Sequence, residues 1–402
     1  MAQDSTVIKE TIGALDDYVL LGRSGLRVSP LCLGTVTFGE KFGLGSNFEE
    51  SKKVFDYYYE KGGNFFDTAN AYNFGESEEF LGKYVADKRS HVVIATKYAG
   101  MPIWLLLHNE NSLFNIYLPF IHKIYKENAS ALMPNPRYNP NAGGNHRKCL
   151  AENLDESLKR LGTGYIDIMY VHVWEFRTPI EEVMRSLDDV VRSGKVLYVA
   201  LSDAPAWVLS RANTMAELRG WSQFIGLQTR YNILNRSMEC DIQTACAELD
   251  VGIVPWGCIA EGFLTGKYTR ESAANLMTSD NMNSQRFNSV KRSAANEQNW
   301  KILDEITAIA AETKRSPAQV ALNWISQKPG ITSPLIGART KDQLVDNLGA
   351  LEFKLTPEQM ARLDDISAPK EIPFPYSIYS NLEKYVGKGI QIPAKYKPIF
   401  MM

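Results

Sequence analysis

Eight short apolar runs, each followed by a helical stretch, constrain this chain more than any other feature. Leu31–Gly34 leads to Phe48–Lys61, which Asn47 can N-cap and Gly62-Gly63 can end. Asn64–Asp67 leads to Ser77–Asp87. His91–Lys97 leads to residues 145–161, where Leu150, Leu154, Leu158 and Leu161 recur at helical spacing. Tyr165–His172 precedes Ile180–Ser193, and Lys195–Ser202 precedes Ala206–Leu218. Phe224–Gln228 precedes Met238–Leu249. Val251–Trp256 precedes two helical stretches, Gln298–Thr313 and Ser316–Gln327, and Ile331–Gly337 precedes Thr340–Leu348. Short strands rich in Val, Ile and Tyr, alternating with helices, predict an α/β fold, a (β/α)8 TIM barrel. Ser24-Gly25-Leu26, between Tyr18–Arg23 and Arg27–Pro30, predicts an N-terminal β-hairpin ahead of it.

The rival is an open doubly wound sheet, which usually announces its dinucleotide site with G-x-G-x-x-G after the first strand. Gly43-Leu44-Gly45 is the nearest approach, and Phe48 fills the third glycine position. The barrel is therefore preferred. Residues 1–17 read as a mobile arm, 18–368 as the barrel and 369–402 as a tail without a recognisable motif. A long insertion, 99–142, breaks the rhythm after the third strand, where a barrel loop is usually short. Its apolar patches, Ile103–Leu107 and Leu113–Ile121, are each too short for a membrane span. A lid, an oligomer contact, an unstructured run and a translated non-coding insert are the alternatives.

The 402 residues are 45% hydrophobic and 22% charged with a formal net charge of −2, which gives no electrostatic case for nucleic acid or an anionic membrane. Cys32, Cys149, Cys240, Cys246 and Cys258 form no CxxC pair and no zinc spacing, so they read as reduced cytosolic thiols. The first residues, MAQDSTVIKETIG, lack the pattern of a signal peptide, so a cytoplasmic protein is expected and the sequon at Asn128 is expected to stay unmodified.

Three consecutive strands end in polar residues after apolar runs: Asp67, Lys97 and His172. Active sites of such barrels lie at the C-terminal strand ends. Adjacent strands lie about 5 Å apart, so these side chains can converge there with Tyr72, which follows Asp67 on the loop of NFFDTANAY. Lys97 beside Tyr72 is expected to lower the phenol pKa and make it a better proton donor. Asp67 would keep Lys97 charged and oriented, and His172 would hold a substrate oxygen. A carbonyl placed between Tyr72 and His172 would be polarised for attack at carbon. The sequence shows no Ser/His/Asp arrangement, no G-x-S-x-G elbow and no metal-ligand spacing, so the attacking group is expected to be hydride from a nicotinamide. Taken singly, each residue has a plainer structural explanation; three successive strand ends together do not. His91 reads as a packing residue, and Tyr57, Tyr58 and Tyr59 as helix packing. His146 reads as a cap at a helix start, with a substrate-loop role as the alternative.

From about Tyr18 to Ala368, excluding the insertion, the chain resembles the aldo-keto reductases, NADP(H)-dependent barrel enzymes. It looks closest to the branch of aryl-alcohol dehydrogenases and relatives of potassium-channel β subunits. The resemblance is carried by LGRSGLRVSPLCLGT, GGNFFDTANAY, VVIATK and SLKRLGTGYIDIMYVH. It implies that Asp67, Tyr72, Lys97 and His172 are catalytic. It implies a contact to the nicotinamide ribose at Thr35, nicotinamide contacts at Ser202, Asp203, Gln228 and Trp256, and a pyrophosphate loop at Leu264, Gly266 and Lys267. It places the adenosine phosphate at Gly337, Arg339, Gln343, Asp346 and Asn347. A guanidinium at Arg339 suits a 2′-phosphate and so favours NADPH over NADH. Asp203 stands where the family usually has asparagine. Gly257 and Cys258 replace a serine and a proline of its loop, and with Glu261 they are expected to reshape the grip on cofactor. The expected activity is reversible reduction of aldehydes or ketones, aromatic ones by the branch resemblance. A dinucleotide-binding regulatory or channel-associated subunit, and an enzyme damaged by the insertion or the altered loop, are the alternatives.

Overall fold

The computed structural model describes residues 13–43, 45–99, 141–272, 285–381 and 393–396. The insertion lies almost wholly outside these residues, and with it the alternatives offered for it.

The hairpin comes first, β1 (Val19–Leu20) pairing antiparallel with β2 (Arg27–Val28). The barrel strands follow: β3 (Cys32–Gly34), β4 (Phe65–Asp67), β5 (Val93–Tyr98), β6 (Ile166–Val171), β7 (Val196–Ser202), β8 (Phe224–Arg230), β9 (Gly252–Trp256) and β10 (Leu335–Ile336). They form one eight-stranded sheet in the order β10-β3-β4-β5-β6-β7-β8-β9, and every pair is parallel. A parallel bridge between Ile253 and Ile331 brings the two sheet edges together. The expected (β/α)8 barrel with its N-terminal hairpin is the observed fold. The last strand is shorter than the expected Ile331–Gly337, because Ile331 only bridges and Ser333 spends its hydroxyl on the Ser29 carbonyl.

Two apolar layers result from the period of two along each strand. Phe65, Val93, Ala95, Ile168, Tyr170, Ala200 and Val254 fill the barrel interior with Leu21 of the hairpin. Phe66, Ile94, Met169, Val171 and Leu201 face outward onto the helices. The hairpin plugs the bottom so closely that a Cβ on Gly252 would stand 2.8 Å from the Leu21 side chain and 2.9 Å from the Gly22 nitrogen. The inward parity continues past the apolar residues to Asp67, Lys97 and His172, which puts the polar strand ends at the top of the barrel.

Helix boundaries follow local chemistry. Asn47 caps Phe48–Glu60 by accepting from the Glu50 amide. Thr356 and Ser316 form capping boxes with Gln359 and Gln319, each followed by proline at the first helical turn. His146 caps Arg147–Leu161 through a 3.2 Å bond from the Cys149 amide, and its other ring nitrogen lies 3.1 Å from the Gly143 carbonyl. Tyr58 is buried, with Tyr57 and Tyr59 packed beside it. His91, expected to pack, is instead exposed in the turn Arg89–His91, because β5 starts only at Val93. Met238–Leu249, expected as one helix, divides into the turn Ser237–Glu239 and the helix Ile242–Leu249. The arm is anchored before residue 18, since Leu15 is buried in the outer core.

Candidate active site

The turn after β4 is built to hold Tyr72. Asn73, Phe74 and Gly75 all have positive φ (47°, 57° and 91°) and reverse the chain into the helix Glu76–Val85. Buried Asn73 fixes the turn: its amide donates to the Val36 and Phe38 carbonyls, and its oxygen accepts from the Phe42 amide. Below it, the Ser77 hydroxyl lies 2.8 Å from that of Thr35 and 2.9 Å from that of Thr68. No motif in the sequence marks Asn73 or Ser77, and Thr68 lies within NFFDTANAY without a role of its own; a short polar run between strand and helix is their only signal.

Lys97 has a complete set of partners. An ammonium has three N–H donors. Here they meet the Asp67 carboxylate, the Thr68 carbonyl at 2.8 Å and the Tyr72 hydroxyl at 3.2 Å. Asp67 and Lys97 are fully buried. The second Asp67 oxygen accepts from the Gln228 amide at 2.8 Å, a bond that crosses from the far side of the barrel. Tyr72 and His172 meet edge to face with ring centroids 6.0 Å apart. Among the described residues the His172 ring nitrogens have no hydrogen-bond partner, so one N–H is available to a ligand. The structure therefore brings together the four residues proposed from strand ends and turn.

The electrostatics differ from the sequence-based expectation in one respect. Burial pushes the Tyr72 phenol above its usual range, and the nearby Lys97 opposes this without winning. The expected lowering is not found, because loss of water around the buried phenol outweighs Lys97, and the nearby Asp67 charge adds to the rise. Burial would pull the Lys97 ammonium down, but Asp67 and Tyr72 outweigh it and leave it above the ordinary lysine value. Burial raises the Asp67 carboxyl against the pull of Lys97 and Gln228. His172 is pushed down to about 3, first by burial and then by Lys97, so it is neutral at physiological pH.

On the opposite rim, Ser202 donates to one Asp203 oxygen at 3.1 Å and the Trp256 indole N–H to the other at 3.0 Å. The Arg230 guanidinium lies over the Trp256 ring, 5.6 Å from its centroid, and pairs with Glu261 at 3.2 Å. Its Nε is buried without a partner among the described residues. The loop beyond Trp256 runs through Gly257, Ala260, Glu261, Gly262 and Gly266, all at positive φ. Lys267 is exposed, whereas the Leu264 side chain is buried in the core, so only the backbone of Leu264 can serve a ligand. Thr340 caps the helix Lys341–Leu348. Beside that helix start, Arg339 is exposed and makes no ion pair among the described residues. Gln343 accepts from the Arg339 amide, Asn347 donates to the Gly337 carbonyl, and Asp346 accepts from Gln319. Thr35 departs from its expected role as a ribose contact. It is fully buried, and its hydroxyl is spent on the Asp67 carbonyl.

A family model described as the aldo/keto reductase family matches residues 30–368. The chain belongs to this family. It is 34% identical over 371 residues to a protein named aryl-alcohol dehydrogenase, NADP(+), of Phanerodontia chrysosporium, covering 90% of this chain and 88% of the relative. It is 32% identical over 363 residues to norsolorinic acid reductase B of Dothistroma septosporum, covering 89% and 82%. It is 32% identical over 357 residues to an aryl-alcohol dehydrogenase of Pestalotiopsis microspora, covering 86% and 82%.

A dinucleotide fits the aldo/keto reductase barrel mouth by its donor set. Arg339 and Lys267 are exposed cations, Arg230 Nε is a buried donor lacking an acceptor among the described residues, and the glycine-rich loop allows backbone approach. Arg230 is the functional candidate that the sequence reading missed. Its signal was a charged residue two places beyond Gln228 on the same strand. Among the described residues no cluster of His, Cys, Asp or Glu could hold a metal, and no helix is long and apolar enough to cross a membrane.

Proposed function

We propose that this chain is an NADP(H)-dependent oxidoreductase that reduces aldehydes or ketones, aromatic ones foremost, to alcohols. The observation that carries the proposal is the saturated Asp67–Lys97–Tyr72 chain beside a neutral His172 at the barrel mouth. Trp256, Ser202 and the side-chain amide oxygen of Gln228 would face the nicotinamide. The backbone of 264–266 and Lys267 would take the pyrophosphate. Arg339, Gln343, Asp346 and Asn347 would take the adenosine phosphate. When bound, NADPH supplies the hydride that the carbonyl carbon accepts.

This chain's residues supply the rest. His172, neutral, donates its N–H to the substrate oxygen and orients it. Tyr72 keeps its proton throughout the physiological range, since burial holds its pKa high. As charge grows on the substrate oxygen, that oxygen becomes more basic than phenolate and takes the proton. Lys97 then stabilises the Tyr72 oxygen it already contacts. Asp67, fixed by Gln228, holds Lys97 in place. The same groups run alcohol oxidation in reverse.

The aromatic preference draws support from the printed names of two relatives, and those enzyme names favour turnover over a regulatory subunit. A single catalytic barrel over 18–368 in the cytoplasm completes the reading. Calorimetric titration with NADPH and NADH, followed by turnover on a panel of aromatic and aliphatic aldehydes, tests it. NADPH is expected to bind more tightly than NADH and aromatic aldehydes to turn over. Failure of NADPH to bind would overturn the proposal.

A further inference from the structure

The resemblance assigns position 203, with Ser202, to the carboxamide of the nicotinamide. The structure gives Asp203 different work. Its carboxylate oxygens each accept one bond: Oδ1 from the Trp256 indole N–H at 3.0 Å and Oδ2 from the Ser202 hydroxyl at 3.1 Å. Its backbone is held too, since the Asp203 amide donates to the Gln228 carbonyl at 2.9 Å. This geometry places Asp203 at φ 46°, in the left-handed region that aspartate tolerates better than most residues. Three strand ends, β7, β8 and β9, are thereby tied together at one residue, the first and last through its carboxylate and β8 through its backbone amide.

Trp256 is gripped twice. Asp203 holds the edge of the indole, and the Arg230 guanidinium covers one face. Arg230 is itself tethered to Glu261 in the following loop. The resemblance stacks the nicotinamide on this ring. Fixing an aromatic platform before binding removes a rotamer cost that binding would otherwise carry.

We infer that Asp203 is a positioning residue that acts through Trp256: it locks the indole plane on which the nicotinamide stacks, rather than recognising the carboxamide itself. The inference rests on the NADP(H) reading above for the identity of the stacked ligand. The lock can be measured separately from cofactor binding.

The test uses the full chain. Asp203→Gly removes the carboxylate and suits the positive φ, so backbone strain does not confuse the result. Asp203→Asn keeps a carbonyl oxygen for the indole N–H. Trp256→Phe keeps an aromatic ring and removes the donor. The near-ultraviolet circular dichroism of Trp256, one of seven tryptophans, is isolated as the difference between wild type and Trp256→Phe. Without cofactor, this band should collapse in Asp203→Gly and persist in Asp203→Asn. By calorimetry, NADPH Kd should rise about tenfold in Asp203→Gly, as for loss of a hydrogen bond to a charged group. Asp203→Asn should stay near wild type. Adding Asp203→Gly to Trp256→Phe should cost no further affinity, because both act through one bond. An intact band in Asp203→Gly, losses that multiply in the double variant, or Asp203→Asn behaving like Asp203→Gly would each overturn the lock. Wild-type protein that binds no NADPH would overturn the functional reading and with it the cofactor role of Asp203, while the band still decides whether the lock exists.

Discussion

The two sides of the barrel mouth are built on opposite principles. On one side, Asp67 and Lys97 are fully buried and every donor of the ammonium has an acceptor. On the other, the loop after Trp256 passes through five positive-φ residues, Arg230 keeps an unpartnered Nε and Arg339 stands exposed without an ion pair among the described residues. The difference teaches where each kind of work can be placed. Proton transfer needs groups whose distances do not wander, and adjacent parallel strands provide that. Anchoring a long anionic ligand needs donors still waiting for acceptors, and turns and helix starts provide those.

The comparison breaks most visibly if the saturated side proves dispensable. Tyr72→Phe should lower kcat about 10²- to 10⁴-fold, the usual contribution of a positioned acid, while NADPH Kd by calorimetry stays nearly unchanged. Equal loss of both would contradict its role as proton donor. Lys97→Met should come next. It strands a buried carboxylate, so denaturant unfolding should show a loss of about 3–5 kcal/mol, and an unaltered midpoint would show that the pair is not buried as described. The open side is sharpened by Arg339→Ala. NADPH affinity should fall about tenfold through loss of a charge-assisted bond, with NADH affinity unchanged; an unaltered ratio of the two would refute the phosphate contact.

The smallest effect is on acid stability. His172 in the unfolded chain takes up a proton near 6.5, but in the folded protein only near 3. The unfolded state therefore binds more protons between those values, and stability falls as pH drops from 6.5 towards 3. His172→Gln should flatten that decline in thermal melts. An identical slope would mean that the ring titrates normally in the fold.

Much of the saturated side was legible because strand parity is written in the sequence. Phe65 and Asp67, Ala95 and Lys97, Tyr170 and His172 stand two residues apart, so an apolar interior residue forecasts the direction of the polar one that follows. The open side was less legible, because its partners come from strands far apart in the chain. Gln228 reaches Asp67 across 161 positions, and Trp256 reaches Asp203 across 53. Nothing local to either residue signals such a bond. Thr35 shows the converse error: its strand-end place suggested a ligand contact, yet its hydroxyl is consumed by the neighbouring strand.

By itself, the sequence determined the alternation of strands and helices, the inward row of Asp67, Lys97 and His172, and the caps at Asn47 and His146. Each of these depends on spacing within a few residues, and backbone geometry fixes their consequences. Only the tertiary structure decided the charge state of the site. Lys97 beside Tyr72 predicts a more acidic phenol, but burial raises it and the Asp67 charge adds to the rise. Desolvation and competition among partners depend on what closes around a group in three dimensions. For the same reason, the fold alone turned Asp203 from an expected ligand contact into the side chain that holds Trp256.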